Sequence, residues 1–180
     1  MKYPDPDYFE PPEARSIVAA AKARHPRRGA AVMVLFETGA RIGSLAGVEP
    51  RDIRGNPPAR MAFRITKGDR PYSASLSPAA SQAVVELLGM MEPEQDTLVG
   101  VSSMQIGNWF HEAALDAGFP PGRIHAHLAR HTAGTLFYRR TKDPMALRKF
   151  LNHADGSQAQ RYVRTLDEEV AAHLEVPLIG

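Results

Sequence analysis

The stretch His127-Leu128-Ala129-Arg130-His131-Thr132, followed by Phe150-Leu151-Asn152-His153 and Gln160-Arg161-Tyr162, decides how this chain is read. Two imidazoles and a guanidinium fall within five residues, and a further imidazole and a phenol come after them. A guanidinium forks onto two phosphate oxygens. An imidazole moves a proton near neutral pH. A phenol beside Arg161 and Arg164 is easier to ionise and so easier to use as a nucleophile. These are the parts of a metal-free phosphoryl transfer. Taken singly each has a plainer reading: His-x-x-Arg as a surface patch, Tyr162 as a ring packed on a helix flank with its hydroxyl wet.

The surroundings favour a polyanionic partner. The whole chain of 180 residues carries a formal charge of only +2. From Pro121 to Thr165, however, nine Lys and Arg stand against two Asp, and Leu166 to Glu175 brings four acids and no Lys or Arg. The bland alternative is a solvated helical face. Hydrophobic content of 43% and charged content of 23% are globular values, and the length suits one domain with a real core. No apolar run approaches bilayer length, and MKYPDPDYFEPPEAR reads as too polar for a signal peptide. Zero Cys excludes disulfides, thiolate metal sites and Cys nucleophiles, and fits a reducing compartment.

Further from the opening stretch, the pattern is mainly α with a small antiparallel β-sheet, an α+β chain. Residues 1–10 read as an extended lead-in. Pro11-Pro12 opens a helix to about Ala23, broken by His25 to Gly29. Ala30 to Glu37 reads as a buried helix stopped at Thr38-Gly39, and Arg41 to Gly47 as a short one. Met61, Phe63 and Ile65 alternate as a strand, Lys67 to Arg70 turns, and Pro71 to Leu76 returns. Asp52 to Arg54 supplies a third strand. Ser77-Pro78 caps a helix to about Gly89, and Ser102 or Ser103 caps another ended by Gly118. Helices are expected from His125 to about Arg140, from Asp143-Pro144 to about Leu151, over Ser157 to Val163, and over Asp167 to Leu174. The helix from His125 would place His127, Arg130 and His131 on one face.

Arg41 follows Thr38-Gly39-Ala40 and reads as a second phosphate ligand or as a cap on the preceding helix. Lys67 reads as a hairpin-tip ammonium within reach of a cleft, or as an ordinary turn lysine. With these two in place the chain resembles the tyrosine recombinase, or phage integrase, family in its catalytic domain. Thr38-Gly39-Ala40-Arg41-Ile42 is similar to the family's first arginine motif, and His127 to Thr132 to its His-x-x-Arg-His-Thr motif. Phe150-Leu151-Asn152-His153 stands where the family has Leu-Gly-His. Tyr162, nine residues after His153, stands at the nucleophile, and Lys67 at the β-hairpin lysine. Single motifs are weak; the ordered set from about Tyr8 to Tyr162 is specific. Three departures are visible: Ser44 where the family has an acid that helps fix the site, Asn152 for Gly, and Ala129 for Leu.

The resemblance implies a tyrosine recombinase catalytic-domain fold over residues 11–165. It implies a C-terminal tail helix over 166–180, docked either on its own domain or on a neighbouring protomer. It implies site-specific DNA cutting and rejoining through a 3′-phosphotyrosine. Tyr162 would attack, Arg41 and Arg130 hold the phosphate, Lys67 protonate the leaving oxygen, His127 act as general acid/base, and His153 hydrogen-bond the phosphate. No metal and no cofactor are expected. The expected partners are double-stranded DNA and other protomers in a tetrameric synapse. No membrane is expected, and the protein would be a monomer without DNA. The expected location is the bacterial cytoplasm, the protein being bacterial or phage-encoded. The family's N-terminal clamp domain has no counterpart in the sequence, so weak, salt-sensitive DNA binding is expected. Two other readings stay open: a DNA-binding relative that has lost catalysis, and a type IB topoisomerase-like relaxing activity.

Overall fold

The computed structural model of the chain describes residues 8–64, 71–125 and 127–152. The hairpin tip with Lys67, the expected helices over Ser157–Val163 and Asp167–Leu174, and the residues His153 and Tyr162 lie outside the described residues.

Seven α-helices and one three-stranded antiparallel sheet are described. The helices are α1 (Pro11–Arg24), α2 (Pro26–Thr38), α3 (Ile42–Ala46), α4 (Pro78–Gly89), α5 (Ser103–Asp116), α6 (Leu128–Thr141) and α7 (Pro144–Leu151). The strands β1 (Ile53–Arg54), β2 (Arg60–Phe63) and β3 (Tyr72–Ser75) lie side by side in that order. The fold is mainly helical with a small sheet, as the sequence pattern implies.

Local chemistry sets the boundaries. Pro occupies the first turn of α1, α2, α4 and α7, where its missing N–H costs nothing. Ser77 and Ser102 cap α4 and α5 by accepting from Ala80 and Gln105 N–H, and Asp143 caps α7 through Met145 and Ala146. The break expected over His25–Gly29 is a single extended residue, His25. Its ring accepts from Arg27 N–H at 3.1 Å, and α2 starts at once on Pro26. Gly29 is needed there because a Cβ would lie 2.6 Å from the Lys22 Cβ, so α1 and α2 approach backbone to backbone.

The main core cluster has α2 at its centre, packed against α1, α4, α5 and α6, and a smaller second cluster gathers around Leu147 and Leu151 of α7. Val32, Val34 and Leu35 of α2 are fully buried, as are Ile17, Leu87, Ile106 and Leu128 on the helices around it. The lead-in joins this core. Phe9 is fully buried, its N–H bonded to Thr132 Oγ1 at 2.9 Å and its ring 4.7 Å from Phe119. One face of the sheet closes another side. Met61 pairs with Ala74 and Phe63 with Tyr72, so these four side chains share the inward face.

One expectation is corrected. The helix carrying the central motif begins at Leu128, not His125. A 3₁₀ turn over Pro121–Arg123 and an extended Ile124 precede it, and His127 is its N-cap. His127 keeps helical backbone angles and its carbonyl accepts from His131 N–H at 2.9 Å, so His127, Arg130 and His131 still adjoin at the helix entry, though their burial differs. His127 is exposed at the helix entry, His131 is half-buried, and Arg130 points into the protein at 5% exposure.

Candidate active site

Two helix ends built alike meet at Arg130. The α2 helix stops at Gly39, whose φ of 62° is left-handed, and α7 stops at Asn152 with φ 48°. Glycine takes this conformation freely and asparagine does so better than most other residues. That is why Asn152 serves where a Gly was expected. A left-handed cap leaves carbonyls near the helix end in want of donors, and Arg130 supplies them. Its Nη1 donates to Gly39 O at 2.7 Å and its Nη2 to Leu151 O at 2.5 Å. Thus Arg130 caps α2. The corner is tight: a Cβ on Gly39 would lie 2.9 Å from Leu151 Cδ2 and 3.3 Å from the Ala133 Cβ.

Arg41 is placed by the same corner. Thr38 Oγ1 donates back to Val34 O at 2.6 Å and accepts from Ala40 N–H at 3.3 Å, turning the chain out of α2. Arg41 then caps α3 in extended backbone and is half-buried, with its carbonyl accepting from Leu45 N–H. Ser44, where an acid was expected, is buried on α3 at 3% exposure.

Arg41, Arg130 and His127 share one electrostatic environment. Partial desolvation holds the His127 imidazole below its ordinary pKa of 6.5, although the residue as a whole stays open to solvent. The charges of Arg130, Arg41 and His125 push it the same way. His127 is therefore neutral at pH 7 and able to accept a proton. The positive end of the α6 dipole sits at the same place. His131 lies 6.4 Å from His127 and 5.7 Å from His125, ring centre to ring centre. Two guanidiniums, a helix N-terminus and a neutral imidazole make a site suited to an anion whose bonding needs a proton moved. Lys67, His153 and Tyr162, the other expected site residues, lie outside the described residues.

Sequence reasoning missed one group. Tyr72 of β3 is half-buried, its ring stacked on Phe63 at 4.8 Å. Burial raises its phenol above the ordinary pKa of 10, against the opposing pull of the Arg130 and Arg41 charges. Period-two alternation put it on the inward side with Ala74, but nothing in the local sequence says that the charges of Arg130 and Arg41 reach it there.

The family model described as "Phage integrase family" matches residues 7–169, nearly the whole chain. The chain belongs to the phage integrase family. Among curated proteins, tyrosine recombinase XerD of Caulobacter vibrioides (strain ATCC 19089 / CIP 103742 / CB 15) is 24% identical over 186 residues, covering 93% of this chain and 60% of that protein. The chain thus spans about three fifths of that relative's length. Among solved structures the fold is similar to XerA recombinase, with a TM-score of 0.78 and 24% identity, covering 96% of this chain and 66% of that one. It is also similar to the catalytic domain of bacteriophage HP1 integrase, with a TM-score of 0.67, 18% identity and 94% of each chain covered. A λ integrase dimer (75–356) bound to a COC′ core site aligns with a TM-score of 0.71 at 16% identity, over 90% of this chain and 60% of that one. In this phage integrase family chain, the first arginine motif is the α2–α3 corner and the His-x-x-Arg motif is the entry to α6.

Proposed function

We propose that the chain is the catalytic domain of a site-specific DNA recombinase that cuts and rejoins strands through a 3′-phosphotyrosine. The observation that carries this reading is Arg130, locked by two helix-end carbonyls beside Arg41 and a neutral His127. Arg41 and Arg130 hold the non-bridging oxygens of the scissile phosphate and stabilise the charge that builds in the transition state. The Tyr162 oxygen forms a bond to phosphorus as the 5′-oxygen leaves. His127 takes the phenolic proton, Lys67 supplies one to the leaving oxygen, and His153 hydrogen-bonds the phosphate. Attack by the free 5′-hydroxyl of a partner strand reverses these steps. The phosphotyrosine conserves the bond energy, so the reaction asks for no nucleotide cofactor.

The partners are double-stranded DNA and further copies of the recombinase in a tetrameric synapse, assembled in the cytoplasm from monomers. The tail, residues 166–180, docks on a neighbouring copy. Its apolar positions Leu166, Val170, Ala171 and Leu174 suit a groove of about 630 Å³ lined by Phe36, Leu136, Phe137 and Phe150. Its acids Asp167, Glu168, Glu169 and Glu175 are opposite in charge to Arg140 and Lys149, which line the same groove. A chain ending at Thr165 is then expected to bind single sites and fail to assemble synapses in sedimentation.

The test of the chemistry is a nicked duplex that loses a short fragment on cleavage and traps the adduct. Wild type is expected to accumulate covalent protein–DNA, and Tyr162→Phe none. Tight binding without an adduct would favour the DNA-binding reading. Plasmid relaxation without strand exchange would favour the topoisomerase-like one.

A further inference from the structure

The sheet has a second face that the mechanism above does not use. Met61, Phe63, Tyr72 and Ala74 turn inward, so strand alternation turns Arg54, Arg60, Ala62, Ser73 and Ser75 outward. Arg54, Arg60, Ser73 and Ser75 are exposed, and Ala62 among them is small. The face offers guanidiniums and hydroxyls, with no acid and no large apolar group. These are side-chain donors of the kind that hold a nucleic-acid backbone.

The two arginines are set against each other. Arg54 is the direct cross-strand partner of Arg60. Like charges so placed destabilise a sheet. The connection between the strands fixes that register. Ala59 N–H donates to Arg54 O at 2.8 Å, and the turn begins at Gly55, whose φ is 93° and whose added Cβ would lie 2.9 Å from Pro57 O. Nearby charges are offset: Arg51 pairs with Glu49 at 2.5 Å, and Arg64 with the buried Asp52. Arg54 donates through Nη1 to the carbonyls of Arg51 and Ile53. Among the described residues neither Arg54 nor Arg60 has an acid partner.

Two guanidiniums fixed side by side without a counter-charge are relieved by an anion. Both stand exposed on a strand surface, which suits an extended anion more than an enclosed one. Opposite residues start about 4.5–5.5 Å apart at Cβ, so both forks reach the same phosphate or two in sequence. Arg60 also lies on β2, seven residues before Lys67 in the chain. We propose that the outward face of the sheet is a second DNA contact, where Arg54 and Arg60 together grip the duplex backbone flanking the cleaved phosphate. The choice of duplex DNA as the polyanion rests on the recombinase reading above.

Arg54→Gln/Arg60→Gln removes both charges and keeps the side chains long and polar. On duplex DNA the full chain should lose affinity about 5- to 20-fold near about 0.1 M salt, and its slope of log affinity against log salt should become shallower by about 1–2. Folding stability should be unchanged or higher, since a like-charge pair is gone. Adduct formation on the trapping duplex at saturating concentration should stay within about 2-fold of wild type, the pattern of binding lost equally from ground and transition states. Arg51→Gln is the control, its charge being offset by Glu49, and should leave the slope as it is. Single methylphosphonates along the trapping duplex then locate the contact, since each neutralises one phosphate. Wild type should lose affinity at one or two neighbouring flanking positions where the double variant loses none.

An unchanged salt slope, an equal change in Arg51→Gln, or identical methylphosphonate profiles overturns the proposal. So does a double variant that binds duplex normally but loses self-association in sedimentation, which would assign the face to the acidic tail of a second copy. The binding measurements need no chemistry. If wild type shows the expected salt behaviour and forms no adduct, the recombinase reading has failed and the DNA face stands. No duplex binding by wild type overturns the face itself.

Discussion

Arg130 is 5% exposed and uses two N–H donors to close two helix ends, so it is both a structural brace and a charge. Lysine is a point charge that cannot span both carbonyls. Arg130→Lys should therefore cost about 1–3 kcal/mol in denaturant unfolding, since a buried carbonyl is left unsatisfied. It should also slow adduct formation by about 10²–10³. A variant as stable as wild type would show that the carbonyls find other partners. His127 makes the second prediction at this scale. Its folded pKa is depressed, so the folded state binds the proton less tightly than the unfolded chain does. Its contribution to stability is present above pH 6.5 and is lost as pH falls below that value toward the folded pKa. Between pH 7 and pH 5.5 wild type should lose more stability than His127→Gln in denaturant titrations. Equal losses would place the depression elsewhere. At this scale the sequence announced which residues carry charge but not what holds them. The pairing of Arg130 with Gly39 O joins residues 91 apart, and no local pattern encodes it.

The elements were legible where their signals are local. Ser77-Pro78, Asp143-Pro144 and the Met61/Phe63 alternation named their helices and strand because caps and period-two burial act within a few residues. The start of α6 was misjudged because His125 to His127 contain no breaker. The chain is held out of the helix there by the 3₁₀ turn before it, with Leu128 N–H taken by His125 O. The corners between elements are where substitution should tell most. Gly39→Ala puts a Cβ at φ 62° and within 2.9 Å of Leu151 Cδ2. A loss of about 1–3 kcal/mol is expected from strain and the close contact together. Asn152→Gly, at the matching end of α7, should change stability by less than about 1 kcal/mol, since Gly adopts φ 48° freely. Chemical denaturation of the two variants checks both. A harmless Gly39→Ala would mean that α7 does not press on the α2 corner as described.

At the scale of the whole molecule, the chain spans about 60% of its curated XerD relative, and under the recombinase reading these residues taken by themselves contact fewer phosphates than a full-length recombinase does. Each phosphate contact contributes about 0.9 to the slope of log affinity against log salt on duplex DNA. The chain should therefore show weaker binding and a shallower slope than a full-length recombinase on its own site, measured by anisotropy across a salt series. An equal slope would mean that this chain alone makes all the contacts. The placement of the basic stretch supports the same picture, since Arg41, Arg130 and the α6 N-terminus gather at one place although they come from separate motifs. The central claim is that this cluster serves a phenol that takes over a DNA phosphate. The measurement that tests it most directly is peptide mapping of the covalent adduct by mass spectrometry after nuclease and protease digestion. The account predicts a 3′-linked nucleotide on the peptide containing Tyr162. A nucleotide on any other residue, Tyr72 included, would contradict it.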